Sequence, residues 1–409
     1  MLDPIAAFFQ RVFAAIGRGI GLAISWLLWP FIAAANWYRQ RGWLIKGPIG
    51  IVLIGLVALY GYFIWQTQVW SNFNIDYVNA YNLAARKNDA GLPVRTPAAA
   101  PSGQTTDGQA GSGQPATETT GQPASGGVAP AASGQTAANV CERSAIVDVT
   151  ADLIDFNVNQ NAWISSMLLY KLGLFGIDWD DTPWLDNKAS FQRGINQAVR
   201  RTTVELVDSL GRVRGTSGIN NDLQLARGNI QFDEETWYFS LSPFGPRTPT
   251  PSIYRAAARD LRKFNASLET CSATFDARSD NLVEFLDRIA NDIGNTSAII
   301  RERSEFHNGG WFDLRADDRF WFAFGQLYGY YGILSAAGAD FDSVIAQRGL
   351  TQIWTETLRQ LRSALNIQPV IISNGREDGW IMPTHLATMG FYILRVRSNL
   401  VEMRDILAR

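Results

Sequence analysis

The chain contains few of the residues that build most metal, redox and acid–base sites. Among its 409 residues it has two histidines, His307 and His385, and two cysteines, Cys141 and Cys271. So few imidazoles and thiols sharply limit metal sites and histidine-dependent catalysis. The sequence also lacks HExxH, GxSxG, P-loop and paired CxxC motifs. We therefore predict no catalytic residues, no metal site and no cofactor.

The two cysteines permit at most one disulfide. A single disulfide is common in an exported domain, where the compartment is oxidising. Cys271 lies on the apolar stripe of a predicted helix, which suits a disulfide with Cys141 or two separate buried thiols. The sequence leaves both open and favours the disulfide.

An excess of charge of one sign is also missing. The 36 Lys and Arg residues nearly balance the 38 Asp and Glu residues, and the net charge is −2. Nucleic-acid-binding domains usually carry a basic patch and a high pI. We therefore predict no nucleic acid as a partner.

Charge is entirely absent from Pro48–Trp65. A helix of this length spans about 27 Å, close to the hydrocarbon thickness of a bilayer. Arg39, Arg41 and Lys46 precede it, and no basic residue follows it before Arg86. By the positive-inside rule the N-terminus is cytoplasmic and the bulk of the chain lies outside. A cleaved signal peptide is the alternative, but the residues that follow form a poor cleavage site. We predict an uncleaved anchor whose partner is the lipid bilayer.

Composition divides the chain into five segments. They are a cytoplasmic-side amphipathic helix (1–47), the transmembrane helix (48–66), an apolar juxtamembrane segment (67–94), a low-complexity linker (95–140) and a helical domain (141–409). Within the first segment, the uncharged run Gly19–Tyr38 is either an in-plane or re-entrant helix or a second span. The linker is rich in Pro, Ala, Gly, Ser, Thr and Gln, so it cannot bury enough apolar surface to fold. We predict a disordered tether that extends the reach of the domain.

The last segment has strong helical periodicity. Apolar residues recur at three- and four-residue steps in stripes such as Ile146–Phe156, Phe191–Leu210, Leu282–Ile300 and, after Pro383, Leu386–Leu407. Strand-like alternation is nearly absent, and such stripes can be buried only against one another. The sequence therefore predicts an all-α bundle.

One predicted helix, Phe320–Ala339, is a second uncharged run of twenty residues with Asp317 as its expected N-cap. It carries small residues at helical spacing beside aromatic ones: Gly325, Gly329, Gly332, Phe324, Tyr328 and Tyr331. The favoured interpretation is the central helix of the bundle, which neighbours approach closely over the glycines. The alternatives are a second membrane-embedded segment and the wall of a groove for an apolar ligand.

Polar residues gather at the junction before this helix. The candidates are Glu305, His307, Asp313, Arg315 and Asp317. Carboxylates beside a histidine could provide general acid–base groups. The favoured interpretation is a junction held by helix caps and by ion pairs of Arg315 and Arg319 with Asp313 and Asp317. His385, in the first turn of the last helix, is also interpreted as structural.

A second acidic stretch, IDWDDTPWLD at Ile177–Asp186, has the oxygen ligands that calcium prefers. Its spacing misses the EF-hand pattern, and no glutamate closes the loop. We therefore interpret it as a loop with helix-capping duty.

Several stretches together resemble a known bacterial family. They are TFDARSDNL (Thr274–Leu282), GGWFDLRADD (Gly309–Asp318), GQLYGYYGIL (Gly325–Leu334), ISNGREDG (Ile372–Gly379) and MGFYILRVR (Met389–Arg397). They are similar to the proteobacterial inner-membrane family catalogued as domain of unknown function 2333. The resemblance implies an inner-membrane protein with a periplasmic helical domain, and it implies no activity or catalytic residues.

Anchor, linker and bundle together predict a non-enzymatic interaction or scaffold protein of the cell envelope, with an envelope protein as its partner. One alternative is a carrier or sensor of an apolar ligand such as a lipid, bound along Gly325–Ala336. The other is a hydrolase that uses carboxylates near His307.

Overall fold

The computed structural model describes residues 25–26, 28–86, 88–94, 140–174, 176–182, 185–212 and 218–409. The start of the expected amphipathic segment and the low-complexity stretch 95–139 lie outside these residues. The chain divides into two compact units, Met1–Gln66 and Thr67–Arg409. Each unit is described separately below.

The first unit contains the predicted apolar helix. Residues 28–40 are helical, and α1 follows at Trp43–Gln68. The 26 residues of α1 extend about 39 Å at 1.5 Å per residue. Its most apolar window has a mean hydropathy of 2.0 and is only 6% buried. Within the described residues, α1 is the one helix long and apolar enough to cross a membrane.

The second unit is an all-helical domain, which confirms the predicted fold class. Its helices are α2 (Ala145–Asp155), α3 (Leu168–Leu172), α4 (Asn187–Glu205), α5 (Asn221–Ile230), α6 (Thr250–Glu269), α7 (Ser279–Phe306), α8 (Ala316–Asp340), α9 (Asp342–Gln347), α10 (Thr351–Leu365) and α11 (His385–Leu407). A short antiparallel hairpin joins β1 (Phe239–Leu241) to β2 (Phe244–Pro246) between α5 and α6.

Most predicted helices are confirmed, but two of them begin at a different residue from the one predicted. Helix α8 begins at Ala316, so Asp317 lies in its first turn and is not the N-cap. Helix α11 begins at His385, because the Thr384 side chain accepts a hydrogen bond from the Ala387 N–H and caps the helix there. Pro383 therefore lies just outside the helix.

Helix α8 is the centre of the domain, as the favoured interpretation expected. Nearly all of its residues from Phe320 to Ala337 are buried. It packs very closely on α4, because a Cβ atom built at Gly325 would overlap the carbonyl oxygen of Phe191. The contact is mutual, since a Cβ at Gly194 of α4 would overlap the carbonyl oxygen of Phe322. Only glycine allows two helix backbones to approach this closely.

The expected domain boundary at residue 141 is corrected to Thr67. Aromatic residues of the 67–94 segment are built into the core of the domain. The Trp70 ring stacks on Phe191 at 4.8 Å, and the Tyr77 ring stacks on Tyr328 at 4.6 Å. The Tyr77 hydroxyl also donates a hydrogen bond of 2.8 Å to the Tyr328 carbonyl. The 67–94 segment is therefore part of the domain and not a separate juxtamembrane element.

Asp340, at the end of α8, joins this segment to the start of α2. It is fully buried and accepts hydrogen bonds from the Ser144 hydroxyl at 2.7 Å and from the N–H groups of Ala145 and Ile146 at 2.8 and 2.9 Å. The Arg86 guanidinium completes the site at 2.9 Å. The donors compensate the buried charge of Asp340. In return, Asp340 accepts hydrogen bonds from the first N–H groups of α2, which have no partner within their own helix.

The chain leaves the described part at residue 94 and re-enters at residue 140, at neighbouring points of the same domain. The Val94 N–H donates to the Val140 carbonyl at 2.8 Å, and the Glu142 N–H donates to the Leu92 carbonyl at 2.9 Å. Cys141 forms a disulfide with Cys271, as the sequence favoured. The segment 95–139 thus joins two adjacent positions and is not a spacer between α1 and the domain.

We expect the domain to keep its fold when residues 95–139 are replaced by four Gly and Ser residues. The sequence predicts disorder in this segment, and shortening it from about 45 residues to four lowers the entropy cost of loop closure by about 2 kcal/mol. Denaturant unfolding should therefore show unchanged or higher stability. A clear loss of stability would show instead that the segment packs on the domain.

The substitution Gly325→Ala tests the close helix contact. The added methyl group forces α4 and α8 apart, so we expect a loss of about 1–3 kcal/mol in the free energy of unfolding. Gly228→Ala in α5 is the matched control, because a Cβ there meets no atom within 4 Å. Helix propensity alone should stabilise that variant by up to about 1 kcal/mol. Equal unfolding curves for both variants would contradict the contact.

Candidate functional site

The candidate site lies where α8 begins. Two loops, at residues 307–315 and 372–384, meet there and are joined by backbone hydrogen bonds between Gly310 and Asn374 at 2.9 and 3.1 Å. The stretch that leads into α4 reaches the same place, since Arg315 pairs with Asp181 at 2.9 Å. Both acidic stretches noted in the sequence therefore meet at one end of the helix pair.

A buried asparagine holds the junction. Asn374 is fully buried, and its Nδ2 donates to the carbonyl oxygens of Arg303 and His307 and to the Asp313 carboxylate, at 2.8–3.1 Å. The Arg303 guanidinium contacts both oxygens of Asp313, with 3.0 Å from Nε to each. The junction thus has the expected kind of Arg–Asp pair. Its partners differ from the expected ones, because the guanidinium that pairs with Asp313 belongs to Arg303, while Arg315 donates only its backbone N–H to Asp313, at 3.3 Å.

The other junction candidates have separate partners. Glu305 is exposed and pairs with Arg301 at 3.6 Å along the surface of α7. His307 is also exposed, and its carbonyl oxygen accepts the Asn374 bond. Asp317 is buried, and one of its oxygens has no hydrogen-bond donor. His385 accepts a hydrogen bond from the Ser373 N–H at its Nδ1, at 2.9 Å, in agreement with a structural role.

The residues of the expected ligand groove are covered by the chain itself. Gly325 and Gly329 face α4, and Gly332 faces the Tyr77 hydroxyl. The aromatic candidates also pack within the domain: Phe324 lies 5.9 Å from Phe191, Tyr328 stacks on Phe73 at 5.6 Å, and Tyr331 lies 6.4 Å from Tyr77. Tyr328 also lines a cavity of about 430 Å³ between the 67–94 segment and α2. The glycine face itself offers no groove.

Three carboxylates from the two acidic stretches converge beside the junction. Oxygen atoms of Asp180, Asp186 and Asp318 all lie within 4.8 Å of one another. Asp180 accepts a hydrogen bond from the Tyr170 hydroxyl at 2.8 Å, and Asp318 accepts one from the Ser190 hydroxyl at 3.0 Å. We call these three residues the carboxylate cluster.

Asp186 differs from the other two members. It has no exposed surface, and no N–H or hydroxyl group donates to either of its carboxylate oxygens; its side-chain hydrogen-bonding partner is the carboxyl group of Asp318, with which it can share a proton. It occupies the N-cap position of α4 but makes no side-chain cap hydrogen bond. Its carboxylate therefore does not perform the capping duty that the sequence suggested.

Burial and mutual repulsion govern protonation in the cluster. Burial raises the pKa of Asp186, and the nearby charges of Asp318 and Asp317 raise it further. Burial likewise raises the pKa of Asp318, and it raises the pKa of Asp317 to about 8. Carboxylates this close cannot all ionise without compensation. The arrangement can hold protons or a cation.

Both acidic stretches can be recognised in the sequence, but the sequence does not predict that they lie close together. Asp180 and Asp186 precede α4, and Asp318 lies in the first turn of α8, more than 130 residues later. Asp residues at helix starts are common, so they carry no special signal in the sequence. The close contact of α4 with α8 brings the two stretches together.

Fold and site together define a class of protein: an α-helical domain that follows an apolar helix and carries a carboxylate cluster at the start of its central helix. The chain belongs to the family described as an uncharacterized protein conserved in bacteria (DUF2333), whose model matches residues 155–305 and 300–409. This match confirms the family that the sequence motifs predicted. No curated protein and no solved structure matches the chain.

Proposed function

We propose that this protein is a membrane-anchored, non-catalytic scaffold of the bacterial cell envelope. Helix α1 carries this proposal, because it is apolar, uncovered over nearly all of its central window, and continuous in the chain with the helical domain. An apolar helix of this length is stable in a bilayer and poorly compatible with water. The bilayer is accordingly its first partner.

The orientation of α1 follows from charge and from the disulfide. Arg39, Arg41 and Lys46 precede the uncharged run, which favours a cytoplasmic N-terminus. The domain then lies in the periplasm, the oxidising side of the inner membrane of a bacterium with two membranes. The Cys141–Cys271 disulfide supports this placement, because disulfides persist in oxidising compartments and are rare in the cytosol.

An apolar surface of the domain supports the scaffold role. The two junction loops expose Trp311, Phe312, Trp380 and Ile381, and Val370 is exposed just before the second loop; the exposed fractions of Phe312, Val370 and Trp380 are 82, 92 and 92%. We call these five residues the aromatic rim. Exposed apolar patches of this kind usually mark interaction sites, since they are unfavourable in contact with water.

The position of the rim within the domain indicates what kind of partner it binds. Val370 lines a cavity of about 640 Å³ together with Thr67 and Gln68, the first two residues of the domain. Val370, one member of the rim, therefore lies close to the first residues of the domain. We propose that the partner of the rim is a second protein of the same membrane.

Reporter fusions test the anchor and its orientation. A periplasm-active reporter fused after Arg409 should be active, and one fused after Arg41, before α1, should be inactive. An N-terminal tag should stay on the membrane-bound protein, because α1 is not cleaved. The protein should also show a mobility shift on reduction that Cys141→Ser abolishes. An inactive reporter after Arg409, a lost tag or reduced cysteines in cells would contradict the proposal.

Photo-crosslinking tests the rim. A photoreactive phenylalanine analogue at Phe312 should give a crosslinked product that contains another membrane protein, and Trp380→Ser should lower its yield. The same analogue at Phe244 is the matched control, because this side chain in the β-hairpin is 79% exposed but lies outside the rim. Identical products at both positions, or adducts with lipid alone, would contradict a protein partner at the rim.

A further inference from the structure

We propose that Asp180, Asp186 and Asp318 form a binding site for a divalent cation, with Ca²⁺ as the preferred ion. The site joins the stretch that leads into α4 to the first turn of α8. The convergence of three carboxylates and the unsatisfied, buried side chain of Asp186 carry this proposal.

Two other buried aspartates of the domain, Asp340 and Asp292, show what is unusual about Asp186. Asp340 has four donors, including the Arg86 guanidinium. Asp292 accepts hydrogen bonds from Gln197, Gln326 and Tyr330 at 2.6–2.8 Å. A buried carboxylate without such donors bears a desolvation cost of several kcal/mol when it is ionised. Asp186 has no such donor and instead faces the carboxyl group of Asp318, which supplies no positive charge. A cation is the partner that would let both carboxylates ionise.

Within the part of the chain that the structure describes, no positively charged side chain supplies that partner, since no Arg or Lys pairs with the three carboxylates within 4.0 Å. Arg315 is close by but binds Asp181, and Arg193 binds Glu235 at 2.9 Å. A bound cation would neutralise the negative charge of the three carboxylates, which Arg315 and Arg193 leave uncompensated.

The geometry and the ligand type favour calcium. Carboxylate oxygens and water are the ligands that hard divalent cations take, and the three carboxylates offer oxygens within 4.8 Å of one another. Mg²⁺ demands a near-ideal octahedral shell, whereas Ca²⁺ accepts six to eight oxygens in a flexible arrangement. A site assembled from two separate stretches of the chain therefore suits Ca²⁺ better. Asp180 is at least partly exposed, so water can complete the coordination shell from that side.

A cation here would act as a structural link. Helices α4 and α8 already touch along their glycines, and the cluster lies at the N-terminal end of both helices. Binding would hold the two helix starts together and remove the repulsion between their carboxylates. It would stabilise the folded state by an amount that grows with the logarithm of the free Ca²⁺ concentration once this exceeds the Kd.

Calcium titration of the full-length protein in detergent micelles tests the proposal. After removal of metals with EDTA and dialysis, isothermal titration with CaCl₂ should show one site per chain, with weaker binding of MgCl₂. The thermal midpoint should rise by roughly 3–6 °C when Ca²⁺ reaches about 100 times its Kd. No heat of binding and no shift at millimolar Ca²⁺ would overturn the proposal.

Variants assign the binding to the cluster. Asp186→Asn should weaken Ca²⁺ binding at least about tenfold, while the metal-free variant melts at or above the wild-type temperature because a buried carboxylate has been removed. Asp180→Asn should weaken binding as well, and its exposed position keeps the fold intact. Asp181→Asn is the matched control and should bind as wild type does, since that side chain pairs with Arg315 outside the cluster. Unchanged binding in Asp186→Asn and Asp180→Asn would place the ion elsewhere and refute the site.

Discussion

The close contact between α4 and α8 is the constraint on which the rest of the domain depends. Gly194, Gly325 and Gly329 remove the side chains that would separate the two helices. The backbones can then approach until methyl groups no longer fit, and Phe191 and Phe324 pack beside the contact. Helix α8 is consequently buried on nearly all sides, which explains a sequence as uncharged as that of a membrane span.

The residues that precede the low-complexity segment complete this core. Trp70 and Tyr77 cover parts of α4 and α8 that would otherwise be exposed, and Arg86 satisfies the buried charge of Asp340 at the far end of α8. Residues 67–94 therefore contribute their part of the domain core before the chain continues into residues 95–139. The disulfide between Cys141 and Cys271 fixes the position at which the chain re-enters the domain. Residues 95–139 therefore connect two positions of a domain whose core is complete without them.

The same helix contact creates an electrostatic problem at its N-terminal end. It brings the acidic stretch before α4 against the acidic first turn of α8, and one of the carboxylates, Asp186, is left fully buried without a donor. Helix N-termini favour negative charge, but three carboxylates in close contact repel more than this effect offsets. The cation proposed for this cluster would remove the repulsion and link the starts of the two central helices.

The sequence by itself determined the features that depend only on residues close together in the chain. The absence of charge in Pro48–Trp65 defines the apolar helix, three- and four-residue periodicity defines most of the helical domain, and five short motifs define the family. Glycines at helical spacing also predicted correctly that α8 is approached closely. Tertiary structure decided what depends on distant parts of the chain: the membership of residues 67–94 in the domain, the partner of Asp313, and the meeting of Asp186 with Asp318. The composition of a segment predicts that its aromatic residues are buried, or that its carboxylates lie near the start of a helix, but it does not predict which residues they contact. For Trp70, Tyr77 and Asp186, the packing around α4 and α8 selects the partners, because these lie more than one hundred residues away and no local pattern encodes the pairing. Asp313 finds Arg303, only ten residues before it, because the junction loop turns back on the end of α7.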